Sequence, residues 1–150
     1  MPATATSQLI FFIAAVVVAS AVAGVFVTTT LNLSHSIRDQ TNERIIELNT
    51  RIEVINDASA MPYNATAGTL IIYVKNIGTT TPAGNLTRVL LDGNLTASGN
   101  LTFRLLDGAT EWSREVVLEM TMGNITLASG DHQVKVIPEY GKPETFKFKI

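Results

Sequence analysis

The sequence predicts an all-β, immunoglobulin-like sandwich preceded by an N-terminal transmembrane helix and a short helical stalk. Three observations carry this. Residues 1–37 hold no Asp, Glu, Lys or Arg. Residues 37–55 then switch to an apolar repeat of helical spacing. From Ala67 onward apolar residues alternate with polar ones and are punctuated by Asp-Gly, Gly-Asn and Ser-Gly-Asp steps, the chemistry of tight turns. The expected division is an anchor over 1–30, a helical stalk over 31–60 and an extracytoplasmic β domain over 61–150.

Leu9 to Val27, LIFFIAAVVVASAVAGVFV, is free of charge. At 1.5 Å per residue such a run crosses a hydrocarbon core of about 30 Å as a helix, the form that satisfies its own backbone. A cleaved signal peptide would carry a basic n-region and a shorter apolar stretch. MPATATSQ has no basic residue, although Ala19-Ser20-Ala21 and Ala21-Val22-Ala23 resemble cleavage sites. Ala15, Ala19 and Ala23 recur every four residues, a small-residue face on which membrane helices approach closely. Counting Lys and Arg places none before the span and Arg38, Arg44 and Arg51 after it, which by the positive-inside rule points inward. Acidic residues interleave with those arginines, and long domains cross largely regardless of charge.

Beyond the span, Ile45, Leu48, Ile52 and Ile55 form a stripe of helical spacing, and Glu47 stands four residues before Arg51. A helix to Ile55, closed by Asn56-Asp57-Ala58-Ser59 and Pro62, is expected. A bend is open at Thr28–Ser36. About seven strands are expected: 69–76, 86–91, 100–106, 115–122, 125–127, 132–137 and 145–150. In the last, Phe146, Phe148 and Ile150 face one side while Lys147 and Lys149 face the other.

Six Asn-x-Ser/Thr motifs occur, at Asn32, Asn64, Asn85, Asn94, Asn100 and Asn124. Ten Asn and 27 Ser plus Thr in 150 residues would give about two by chance. Read as glycosylation acceptors, they place the β domain outside the cell. Read structurally, they are turn Asn followed by strand Thr.

Other chemistry is sparse. A net charge of −2 and a pI near 5.6 lack the basic footprint of a nucleic-acid partner. Cysteine is absent, so no disulfide or thiolate site exists. Of two histidines, His35 follows the span and His132 opens a strand. Ser129, Asp131 and His132 are neighbours whose side chains alternate faces, so they build no triad. Asp92-Gly93-Asn94 and Asp107-Gly108 read as turns rather than as calcium loops, which need further ligands. Trp112 reads as a packing residue. No catalytic residue, cofactor or metal site is expected, and the chain reads as a non-enzyme.

MPATATSQLIFFIAAVVVASAVAG, the short helix, LIIYVKNIGTTTP and VLLDGN together resemble the archaellum (archaeal flagellum) accessory family FlaG, across nearly the whole chain. The sister family FlaF has the same layout. That resemblance implies a stator part of the archaellum motor, held in the cytoplasmic membrane with its sandwich in the pseudoperiplasm. The implied partners are a FlaF-type protein, the S-layer protein and further copies of itself. It implies no catalytic residues, and exposed sandwich edges are the candidate contacts. Archaellin and pilin-like filament subunits share the layout but are made with a basic leader, and no Lys or Arg precedes Leu9. A membrane-anchored surface binding module is the third alternative.

Overall fold

The computed structural model describes residues 2–150, and the side chains from Ala5 onward. It contains two compact units, one ending at Glu43 and the other comprising Arg44–Ile150.

Helix α1 runs without interruption from Pro2 to Asn49, about 72 Å at 1.5 Å per residue. No bend occurs over Thr28–Ser36. The hydroxyls of Thr28, Thr29 and Thr30 each donate to the carbonyl four residues back, at 2.9 Å. They therefore do not compete for backbone groups from outside the helix. The helix stops at Asn49, six residues short of the expected Ile55. Arg51-Ile52-Glu53-Val54 also alternates charged and apolar side chains, and tertiary burial selects that period. Ile52–Val54 forms strand β1 with Ile52 and Val54 buried and Glu53 exposed, while Ile55 stays exposed. Glu47 and Arg51 are consequently no longer one helical turn apart. Residues 50–60, expected in the stalk, belong to the β unit.

The remaining strands are β2 (Tyr63–Asn64), β3 (Thr69–Asn76), β4 (Arg88–Leu91), β5 (Asn94–Leu95), β6 (Leu101–Leu105), β7 (Val117–Met122), β8 (Asp131–Ile137) and β9 (Glu144–Lys149). One antiparallel sheet has the order β1-β3-β7-β6, with β2 also on β3. The other has the order β5-β4-β8-β9. β3 and β7 alternate half-buried and buried positions along their whole length. Leu70, Ile72, Val74, Leu118, Met120 and Met122 thus face Val89, Val134, Val136 and Phe148 of the second sheet in one core. Trp112 joins that core, 1% exposed, with its indole N–H donating to Val116 O at 3.1 Å. β9 is an edge strand with Phe148 buried and Lys147 and Lys149 exposed, as lysine on an edge discourages stray pairing.

Residues 125–127 are not a strand. Ile125 makes a single backbone bond to Gly68 O, and Leu127 N–H goes to the Tyr63 hydroxyl, so the segment is a loop that buries Ile125 and leaves Thr126 exposed. β1, β2 and β5 are short strands beyond the seven expected.

The chain enters the β unit through a tight junction. Ile77 and Gly78 donate to Arg51 O and Thr79 to Asn49 O, at 2.9–3.0 Å. The fully buried Asn76 side chain organises that turn. Its amide donates to Thr80 O at 2.8 Å and Trp112 O at 2.7 Å, and its carbonyl accepts from Gly78 N. Asn76 also faces a bulge, in which Glu115 N–H donates to Asn76 O and Asn76 N–H donates to Val116 O. Glu115 takes the left-handed position there, at φ 69°, where glycine is the unstrained residue. Its ion pair with Lys75 is solvent-exposed and contributes little. Glu115→Gly is expected to hold or raise the unfolding temperature, by up to about 5 °C. Trp112 fluorescence reads this directly, because it is the only tryptophan in the chain.

Candidate anchoring and interaction surfaces

In α1 the apolar side chains from Leu9 to Val27 point outward with nothing covering them. Phe11 is 74% exposed and Phe26 71%. The helix is long and apolar enough to cross a membrane, with a mean hydropathy of 2.8 in its most apolar stretch. Ser20, the one hydroxyl in the middle of the run, closes on Val16 O at 2.7 Å, so it carries no unmet donor into an apolar medium. Ala15, Ala19 and Ala23 floor a shallow trough bordered by Phe11, Val18, Val22 and Phe26. A second helix approaching there meets backbone rather than bulky side chains.

In the β unit, the three Asn-Leu-Thr repeats converge, although their sequence positions do not suggest it. Leu86, Leu95 and Leu101 line one groove beside β5 and β6, the strands at the open side of the two sheets. Leu86 and Leu95 remain more than half exposed. This is an apolar patch at an exposed sandwich edge.

The six motif asparagines are placed differently. Asn32 lies within α1. Asn64 is exposed at the end of β2, and Asn85 is exposed in a 3-10 turn over Gly84–Leu86. Asn94 is exposed in β5, and Asn100, half-buried, precedes β6. Asn124 is exposed at φ 56°, and its amide donates to Asn100 Oδ1 at 3.3 Å. Asn64, Asn94, Asn100 and Asn124 share the end of the sandwich opposite the junction at Asn49–Ile52.

The neighbours Ser129, Asp131 and His132 are not gathered into a site. The Ser129 hydroxyl donates to Ile150 O. His132 turns instead to Asp92, forty residues away in sequence, with Nδ1 2.7 Å from Asp92 Oδ2 and Nε2 2.9 Å from Ala128 O. Asp92 Oδ1 accepts from Gln133 N, so both carboxylate oxygens are engaged within the protein. Asp92 and Gly93, at φ 50° and 83°, make the two-residue turn between β4 and β5 that the Asp-Gly step predicts. Among the described residues, no group of three or more His, Cys, Asp or Glu side chains is placed to hold a metal ion.

Two acceptors around one imidazole favour its doubly protonated form. The Ala128 carbonyl, then Asp92, raise the His132 pKa. Burial opposes ionisation of Asp92, but Gln133 N–H and His132 outweigh it, and its pKa is lowered. The raised histidine value means stabilisation that is complete below about pH 6.5 and fades as pH rises through the folded value. The lowered aspartate value means stabilisation present above about pH 3.9 and lost as pH falls through the folded value. The tie is therefore strongest between those limits. The difference in unfolding temperature between the native chain and His132→Gln should be largest near pH 5.5 and shrink by pH 8.5.

An uncovered apolar helix leading into two packed antiparallel sheets defines a β-sandwich protein with a long apolar N-terminal helix. The family model for archaeal-type flagellin matches residues 3–148, and the chain belongs to that family. The chain is 28% identical to flagella-related protein G of Methanocaldococcus jannaschii, over 94% of this chain and 92% of the relative. It is also 28% identical to flagella-related protein G of Methanococcus voltae, over 100% and 99%. The likeness to FlaG noted from the sequence is thereby borne out. The fold matches a chain of the archaeal flagellum of Methanospirillum hungatei strain JF1 with a TM-score of 0.73 at 15% identity, covering 96% of this chain and 92% of that one.

Proposed function

We propose that this protein is a structural, non-catalytic stator component of the archaellum motor. Residues 9–27 hold it in the cytoplasmic membrane, and the β unit lies in the pseudoperiplasm. One observation carries the reading: the whole apolar run stands uncovered on a helix of membrane-spanning length. Similarity to two flagella-related G proteins supports a place in the archaellum apparatus. A rotary motor delivers torque only against a fixed part, and a lipid-held helix with a packed sandwich can serve as one. The Leu86–Leu95 patch is the surface offered to a FlaF-type partner, and through it to the S-layer. The Ala15, Ala19, Ala23 face is offered to a second copy.

The filament-subunit reading is favoured by the fold likeness to the Methanospirillum flagellum. Deleting the gene and scoring swimming and filaments separately decides between them. A stator part leaves filaments in place while swimming stops. A filament subunit takes the filaments with it. Normal swimming with normal filaments overturns both.

A further inference from the structure

We propose that Asn64 is the N-glycosylation acceptor of the folded protein, and that Asn85, despite the same motif, is closed to modification once the β unit has folded. The proposal rests on the outward placement of that unit.

The chemistry sets two demands. The transferring enzyme must reach the hydroxyl of the residue two after the Asn, and the chain must bend so that the Asn amide meets the sugar donor. In the reaction the Asn Nδ2 attacks the anomeric carbon of a lipid-linked oligosaccharide. A C–N bond forms, and the anomeric C–O bond to phosphate breaks. The lipid phosphate leaves with the bonding pair, and one amide proton passes to the enzyme's base.

Asn64 already has the needed bend. Its Oδ1 accepts from Thr66 N and Ala67 N, both at 3.0 Å, an Asx turn that the motif's own Thr closes. Both bonds use the oxygen and leave Nδ2 for the sugar. Asn64, Ala65, Thr66 and Ala67 are all exposed. The segment joins a two-residue strand to β3, so little structure resists an enzyme that grips it.

Asn85 is exposed, but its partner hydroxyl is not. Thr87 is 4% exposed, and its Oγ1 is sealed from solvent with no hydrogen-bond partner. No enzyme group reaches it without opening the groove.

The other four sites meet other obstacles. Asn32 sits inside a continuous helix, about 8 Å of helix rise beyond Val27, and helical backbone does not form the turn. Asn94 is paired with Leu91 as Asn64 is with Thr69, but Thr96 N–H is held by Val89 O, so no Asx turn closes at Asn94. Asn100 is half-buried, with its backbone carbonyl held by Gly123 N, and Asn124 has its own Nδ2 committed to Asn100 Oδ1.

Glycopeptide mass spectrometry of the full-length protein from its native cells tests the assignment. The Asn64 peptide is expected to carry glycan in most chains, and the Asn85 peptide to be bare. Thr66→Ala should abolish that glycan and Thr66→Ser should keep it. Glycan on Asn85 at the level of Asn64 overturns the proposal, as does a bare Asn64. A cysteine at the exposed Thr145 of β9, outside the Leu86–Leu95 groove and probed on whole cells with a membrane-impermeant maleimide, separates the causes. If it labels while Asn64 is bare, the acceptor assignment falls and the outward placement stands. If it labels only after lysis and Asn64 is bare, the placement falls and takes the assignment with it.

Discussion

Gly78→Ala should lower the unfolding temperature of the β unit by about 10 °C or more. A Cβ at Gly78 would collide with Asn49 O and stand 2.6 Å from Arg51 N. Both obstacles are backbone, so no side chain can swing aside. The residues that would have to move carry the hydrogen bonds from Ile77, Gly78 and Thr79 to Arg51 O and Asn49 O. Displacing Gly78 instead would pull its N–H away from the buried Asn76 side-chain carbonyl. Leaving a buried polar group unpaired costs roughly 1–3 kcal/mol in itself. Thermal unfolding of the full-length protein in detergent, followed by Trp112 fluorescence, reads the effect locally, because Trp112 O accepts from Asn76. Gly99→Ala is the control. Nothing lies within 4 Å of its added Cβ, and its transition should stay within about 2 °C of the native chain.

The second large effect is expected in the span. Val18→Arg combined with Val22→Arg puts two charges midway along the apolar run, each costing about 2.5–3.5 kcal/mol at a helix centre on insertion scales. The double variant should pass from the membrane pellet to the alkaline-extractable fraction. Its β unit should keep the native fluorescence of Trp112, which lies in the other compact unit. Val18→Leu with Val22→Leu should remain in the pellet. A double-arginine variant that stays membrane-bound would mean that something other than lipid covers this helix.

Much of the sandwich was legible in the sequence. β3 spans the residues the sequence predicts, 69–76, and every second residue from Leu70 to Asn76 is buried. The turn at Asp92-Gly93 followed from its dipeptide. β1 was hidden because Ile52 fits both a helical stripe and a two-residue alternation, and only pairing with β3 decides between them. β2 and β5, two residues each, are too short to show a period. Residues 125–127 alternate like a strand, yet their backbone bonds go to Gly68 O and a tyrosine hydroxyl rather than to a neighbouring ladder.

The candidate sites divide in the same way. The apolar helix is a property of contiguous sequence and was visible at once. The Asp92–His132 tie joins residues forty apart, and local spacing carries no trace of it. Asn64 and Asn85 share one motif, and the difference between them is the tertiary burial of Thr87 and the Asx turn at Thr66. The Asn-Leu-Thr motifs at Asn85, Asn94 and Asn100 are separated in sequence, whereas Leu86, Leu95 and Leu101 share one groove on the side of the sandwich where the edge strands β5 and β6 lie.

The proposed outward placement of the sandwich is tested most directly by a single introduced thiol, since the sequence contains no cysteine. Thr145→Cys, exposed on β9 and outside the Leu86–Leu95 groove, should react in otherwise native cells with a membrane-impermeant maleimide to the same extent as after lysis. Reaction only after lysis would put the sandwich in the cytoplasm and contradict an external structural role.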